Sequence, residues 1–172
     1  MSNKSGEERI DAAHKKEWRT FEVVFGVPFL VSIVLKFAIP LSLLQGALSP
    51  AVIAGGVFLI AVGVSLIILA RREFAQHGQP TDPGRPTEKL VTTGVFSISR
   101  NPLYLGGVCF LTGLALAFNL TWFLIFLLPS IVACHYVLIA PEERYLADKF
   151  GKRYRVYAAT VYRWLGRKTK MD

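Results

Sequence analysis

Between Gly107 and Pro141 the chain carries no Asp, Glu, Lys or Arg, and two polar clusters bracket this run. Arg100-Asn101-Pro102-Leu103-Tyr104-Leu105-Gly106 comes before it and Glu142-Glu143 after it. An uncharged apolar stretch of that length satisfies its backbone most simply as two bilayer-crossing helices folded back on one another. Such a hairpin brings its two ends together at one water boundary. The chemistry is expected there.

Composition supports a membrane chain. The 172 residues are 52% hydrophobic with a mean hydropathy of +0.41, too apolar for an ordinary soluble domain of this size. Four segments approach the ~20 residues that cross a bilayer core: Phe21 to about Leu44, Ala51 to Ala70, Leu103 to Phe118, which is short, and Thr121 to Ile139. The expected fold is an all-α integral membrane protein of about four transmembrane helices, with a tight C-terminal helical hairpin and cytoplasmic amphipathic helices. One domain, 1–172, is expected: an interfacial helix at 1–20 carrying Trp18, two spans at 21–70, a cytoplasmic loop at 71–102, the hairpin at 103–139 and C-terminal helices at 141–165.

Charge placement orients these segments. Five of the 20 Lys and Arg precede residue 20, five lie between Arg71 and Arg100, nine follow from Arg144 onward, and Lys36 stands alone. The opposite turns, Gln45 to Pro50 and Asn119-Leu120, carry none, so both termini and the middle loop are expected on the cytoplasmic side. The net charge of +8 follows from this topology and from attraction to anionic lipid, and no nucleic-acid partner is expected. Met1 to Arg19 lacks the apolar core and cleavage site of a secretory signal, so no leader is expected. Cys109 and Cys134 read as small apolar residues, and no metal site is implied. Lys36 is read as snorkelling to the outer surface and not as a charge in a transport path, and His135 as a helix-packing residue. Pro28 and Pro40 are expected to kink the first span.

The stretch from Arg71 to Arg100, with Pro80, Pro83, Gly84 and Pro86, reads as a long cytoplasmic loop able to close over a ligand. After Pro141, the residues Leu146, Phe150, Tyr154, Tyr157 and Val161 recur at helical spacing, which marks an amphipathic helix with Gly151 as a candidate break. Pro102 suits the first turn of a helix, so Asn101 is expected to cap it, and Gly106-Gly107 permits close approach of a ligand or a neighbouring helix. Alone, the heptapeptide reads equally well as a site or as a helix start. Glu142-Glu143 after Pro141 likewise reads as a helix N-terminus with charges matched to its dipole. Their adjacency across the hairpin favours a site, where a carboxylate can neutralise an ammonium or a sulfonium.

These residues resemble the isoprenylcysteine carboxyl methyltransferase and phospholipid methyltransferase group of membrane enzymes. The resemblance rests on Leu90-Val91-Thr92-Thr93-Gly94-Val95-Phe96, the heptapeptide from Arg100 to Gly106, and Glu142-Glu143 with Leu146, Phe150-Gly151, Tyr154 and Tyr157, and it covers about residues 74 to 165. It implies an S-adenosyl-L-methionine site at the cytoplasmic face, with S-adenosyl-L-homocysteine as product, and not a Rossmann domain. Cofactor contacts implied by position are Lys89, Leu90, Val91, Phe96, Asn101, Pro102, Leu103, Tyr104 and Glu142, with Arg100 and Glu143 needed for activity. Three departures stand out: Asn101 replaces His, Phe96 replaces Tyr, and Leu138 occupies the place of a substrate-contacting Arg in the eukaryotic carboxyl methyltransferase. The last counts against a prenylcysteine carboxylate as substrate.

The expectation is an integral membrane methyltransferase acting on a lipophilic small-molecule or lipid-attached acceptor, a prenylcysteine-like carboxylate or a lipid amine. An amine acceptor would have to arrive deprotonated, and Glu143 is the nearby candidate to take its proton. The alternatives are an NADPH-dependent membrane reductase of the sterol-reductase type and a non-catalytic membrane module or transporter. Brevity, the lack of eukaryotic sorting signals and the Asn form of the motif favour a bacterial inner membrane.

Overall fold

The computed structural model describes residues 21–41, 49–79 and 88–168. The interfacial helix expected at 1–20, with Trp18, lies outside these residues. Among those described there is no β-strand, and the order is a π-helical turn Glu22–Gly26, α1 Val27–Ala38, α2 Ser49–Gln76, a 3-10 turn Gly94–Ser97, α3 Pro102–Ala117, α4 Thr121–Cys134, a second π-helical turn His135–Ile139, α5 Ala140–Phe150 and α6 Lys152–Thr160. The described residues form an all-helical structure, as the apolar runs require.

Among the described residues two stretches are long and apolar enough to cross a membrane, Pro50–Gln76 with a mean hydropathy of 2.8 and Thr121–Phe150 with 2.3. Only 11% and 28% of their apolar windows are buried. The core helix of a soluble protein would be mostly covered, so these surfaces suit contact with lipid. α3 is apolar but spans 16 residues, about 24 Å at 1.5 Å per residue, short of a ~30 Å hydrocarbon core.

The tightest packing joins α2 to α3 in antiparallel fashion through glycines seven residues apart. A Cβ built on Gly63 would lie 2.6 Å from the Gly106 carbonyl oxygen, and one on Gly56 would lie 2.8 Å from that of Gly113. The reciprocal approaches are as close, Gly106 to the Gly63 oxygen at 2.9 Å and Gly113 to the Gly56 oxygen at 2.6 Å. Where lipid supplies no hydrophobic drive between helices, such backbone proximity supplies the dispersion contacts that hold them. Gly107 faces the other way, against the Phe21 ring. Gly106-Gly107 therefore serves helix packing and not ligand approach.

Several element boundaries differ from expectation. α2 runs on to Gln76, past Ala70, because Ala70 is fully buried and Phe74 packs over Val91 and Phe96, so the helical stripe continues beyond the apolar segment. α1 ends at Ala38: Pro40 excludes the α conformation at Ile39, whose φ is −135°, so this proline terminates the helix and does not kink it. The remainder of the expected first span lies outside the described residues. Pro28 sits at the head of α1, two residues after a π-helical turn, and Pro141 stands in the same relation to His135–Ile139. A proline lacks an N–H and crowds the carbonyl four residues back, which the wider turn relieves.

Because of that turn, Glu142 and Glu143 do not open a new helix. Thr121–Phe150 is continuous, so the expected dipole argument fails and the two acids ride on the extension of the span itself. The break comes at Gly151, with φ +54°.

At the end of the molecule away from the two acids, the turn Phe118-Asn119-Leu120 joins α3 to α4, with Asn119 at φ +51°. Lys36 Nζ donates to the Phe118 carbonyl at 2.6 Å and Trp122 Nε1 to the Ile39 carbonyl at 2.9 Å. These bonds satisfy carbonyls left open at two helix ends. Lys36 is thus engaged at the exposed turn.

Candidate active site

The site is assembled from the loop before α3, the extension of α4 and the last described residues. The hook 161–168 folds back through Tyr162 N–H to the Gly166 carbonyl (2.9 Å), Lys168 N–H to the Thr160 carbonyl (2.9 Å) and a bridge between Val161 and Arg167. It grips the loop through Gly166 N–H to the Ile98 carbonyl (2.7 Å) and Arg100 N–H to the Tyr162 carbonyl (3.2 Å). Gly166 adopts φ +107°, a region that favours glycine, which makes this reversal possible.

At the centre stands Glu143. Its Oε1 forms an ion pair with Arg100 Nη2 at 3.1 Å and accepts from Arg163 Nε at 2.9 Å, and its Oε2 accepts from Arg163 Nη2 at 2.6 Å. The Arg163 fork is bidentate, the strongest pairing geometry open to a carboxylate. It also holds the Arg163 guanidinium charged, its pKa raised first by the hydrogen bond to Glu143 and against the pull of burial. Arg100 Nη1 donates to the Tyr154 hydroxyl at 3.3 Å. Burial, and then the Glu143 charge, push the Tyr154 hydroxyl up to about 12, although Arg100 pulls the other way. Burial raises Tyr157 as well, and its hydroxyl donates to the Phe96 carbonyl at 2.7 Å. Both tyrosines keep their hydroxyl protons near neutral pH and are not bases.

Asn101 is 7% exposed and occupies the position before α3, but its side chain does not cap the helix. Its Nδ2 donates instead to the Arg163 carbonyl at 3.1 Å, while Ser99 Oγ accepts from its N–H. Pro102 fills the first helical position, where a missing N–H costs nothing. Arg100, Asn101 and Glu143 are therefore brought together, as expected.

The remaining expected residues divide between two faces. Lys89 and Leu90 line a cleft of about 710 Å³ between the loop and α6, whose walls include Thr92, Ser97, Phe150, Val156 and Tyr157 and whose rim carries Arg153 and Arg167. Gln79, 6% exposed, accepts the N–H groups of Glu88 (2.7 Å) and Lys89 (3.2 Å) on its Oε1 and so fixes the cleft edge. Val91, Phe96 and Leu103 turn away from this cleft into a cluster with Ala70 and Phe74. Tyr104 packs towards the π-helical turn, its ring 5.9 Å from that of Phe21. Glu142 is half-buried on α5, near enough for its charge to act on Tyr154. Leu138 is fully buried against the Phe25 cluster.

Sequence reasoning missed Arg163, which lies in an irregular stretch among other basic residues and carries no local pattern. Tyr154 and Tyr157 were visible as an apolar face but not as hydroxyls bonded to the motif loop, the first accepting from Arg100 and the second donating to the Phe96 carbonyl. His135 is more than a packing residue: its Nδ1 lies 3.5 Å from Arg163 Nη1. Lys36, on α1, bonds at the turn that precedes α4, whereas His135 follows the other end of that helix.

The family model described as Phospholipid methyltransferase matches residues 51–153, a stretch that holds the loop, α3, α4 and both acids. The chain belongs to this family. Comparison with curated proteins and with solved structures gives no significant match. As a phospholipid methyltransferase family member it is a methyltransferase with membrane-suited helices. The family match ends ten residues before Arg163, so the hook lies outside it.

Proposed function

We propose that this protein is an S-adenosyl-L-methionine-dependent methyltransferase whose acceptor is a lipophilic molecule reached from the bilayer. The observation that carries the reading is the meeting of Arg100 and Asn101 with Glu143 beside the cleft edged by Lys89 and Leu90. The cleft suits the cofactor in size, since small-molecule sites run to roughly 300–1,000 Å³. Leu90, Val156 and Tyr157 offer apolar surface for an adenine face, and Lys89, Arg153 and Arg167 offer charge for a carboxylate. Arg100 Nε is buried and lacks a hydrogen-bond partner among the described residues, a donor a ligand acceptor atom would satisfy.

The cofactor, when bound, supplies a methyl group on a sulfonium, open to in-line attack. The protein's part is alignment and charge. Lys89, Leu90 and Gln79 hold the cleft edge, Glu142 would supply negative charge to a bound sulfonium, and Glu143 is a fixed anion that orders the motif loop through Arg100. With both its oxygens engaged by guanidinium groups, Glu143 is better suited to orientation than to taking a proton. The acceptor, a lipid amine or a prenylated carboxylate, enters from the side of the apolar helices. Four spans, cytoplasmic termini and a bacterial inner membrane complete the reading, which the one-sided charge placement supports.

Calorimetric titration of detergent-purified protein with S-adenosylmethionine, S-adenosylhomocysteine and NADPH tests it. Micromolar binding of both adenosyl ligands, lost in Glu142→Gln and in the cleft-filling Thr92→Trp, is the expected result. The basic rim also suits the phosphates of NADPH, so binding of that ligand alone would replace the reading with a reductase. Binding of none would leave a non-catalytic module.

A further inference from the structure

We infer that Arg163 is a positioning residue for methyl transfer, its guanidinium setting Glu143 and its main-chain carbonyl setting Asn101. The inference rests on the proposed function and extends the site to the hook 161–168, beyond the stretch matched to the family.

Arg100 engages only Oε1 of Glu143. The terminal torsion of a glutamate is broad, so a single contact leaves the carboxylate free to turn. The Arg163 fork adds Nε on Oε1 and Nη2 on Oε2, which fixes the carboxylate plane. The same residue accepts from Asn101 Nδ2 through its carbonyl. One amino acid thus ties α5 to the residue that precedes α3, two places far apart in the chain.

A purely structural role does not account for this. The hook is closed by main-chain bonds, Tyr162 to Gly166, Gly166 to Ile98 and Lys168 to Thr160, none of which uses the Arg163 side chain. That side chain remains 36% exposed, against 11% for Arg100 and 14% for Glu143. Truncating it removes the clamp on Glu143 while the hook and the Asn101 contact persist, and it opens a path from water to the vacated position. An exogenous guanidinium ion can then take the missing group's place.

The experiment compares wild type, Arg163→Ala, Arg163→Lys and Lys168→Ala in detergent. Three quantities are read: the dissociation constant of S-adenosylhomocysteine, the thermal midpoint, and transfer of labelled methyl from S-adenosylmethionine to phosphatidylethanolamine, to N-acetyl-S-farnesylcysteine and to a lipid extract of the host membrane. Arg163→Ala is expected to lower kcat about 100-fold, the scale on which small misplacements act, with the dissociation constant within about twofold. Millimolar guanidinium chloride restores part of kcat, and sodium chloride at equal ionic strength does not. Arg163→Lys keeps the charge without the fork and falls between the two, and Lys168→Ala matches wild type. Transfer by Arg163→Ala within about threefold of wild type overturns the inference. So does a loss that comes with weaker S-adenosylhomocysteine binding and a lower thermal midpoint, without guanidinium rescue. A wild-type protein that neither binds the adenosyl ligand nor transfers methyl to any acceptor overturns the proposed function itself, and this inference with it.

Discussion

Arg100 reaches Glu143 at 3.1 Å across the open end of the α3–α4 hairpin. The contact locks the motif loop to the helix that extends from the apolar span, and it leaves little of either side chain in water. Charges removed from solvent in this way depend on one another, so loss of one partner costs more than the pair is worth. Glu143→Gln leaves two guanidinium groups facing a neutral amide. A loss of about 2 kcal/mol is expected, moderated because Arg163 can turn towards water. Thermal unfolding by circular dichroism checks it, and the double variant Arg100→Met, Glu143→Leu should recover part of the loss. A Glu143→Gln midpoint equal to wild type would contradict the clamp.

The glycine contacts make a prediction of opposite sign to helix propensity. Ala is favoured over Gly in a helix by about 1 kcal/mol, and Gly55, with nothing within 4 Å of a built Cβ, should follow that rule. Gly63→Ala places its methyl 2.6 Å from backbone atoms of Gly106 and Phe110, which cannot move alone. Destabilisation of about 1–3 kcal/mol is expected from the forced separation of α2 and α3. Equal midpoints for Gly55→Ala and Gly63→Ala would refute the close approach.

Gln79 holds the cleft edge by two main-chain bonds to its Oε1. Gln79→Leu keeps most of the volume and removes the acceptor, leaving Glu88 and Lys89 without it. S-adenosylhomocysteine affinity should weaken about tenfold, equivalent to one lost hydrogen bond of roughly 1–1.5 kcal/mol, while the thermal midpoint changes little. Unchanged affinity would detach this loop from the cofactor.

Alkaline pH should loosen the site. The raised pKa values of Tyr154, about 12, and Tyr157 mean that the folded protein holds these protons more tightly than the unfolded chain, whose tyrosines titrate near 10. Their contribution is therefore complete below about pH 10 and declines as pH rises from there through the folded value. Tyrosinate absorbance followed with the thermal midpoint should show the decline, which Tyr154→Phe reduces. A midpoint flat from pH 9 to about pH 12 would contradict the burial of these hydroxyls.

Much of this site was legible from patterning. Two polar clusters flanking an uncharged run can meet only if the run folds back, and the recurrence of Leu146, Phe150, Tyr154, Tyr157 and Val161 announced a helix face before its partner was known. Leu90 proved to be part of that partner. Arg163 was not legible, because an arginine in an irregular stretch acquires meaning only from the carboxylate it meets across space. The destination of the Asn101 side chain was hidden for the same reason: Asn before Pro suggests a cap, and a tertiary carbonyl won the amide. Glu142-Glu143 after Pro141 looked like a helix start because sequence periodicity does not reveal a π-helical turn that lets a helix run through a proline.

That continuous helix from Thr121 to Phe150 carries Glu143 on the same helical rod as the apolar window. In a bilayer, a change in hydrocarbon thickness is met by tilting or sliding such a rod, at a cost of fractions of a kcal/mol per ångström of mismatch. One residue of slide displaces Glu143 by about 1.5 Å, a substantial fraction of the 3.1 Å contact with Arg100. The Arg100–Glu143 contact is thereby expected to respond to acyl-chain length, with the surrounding lipid acting on the geometry of the proposed site.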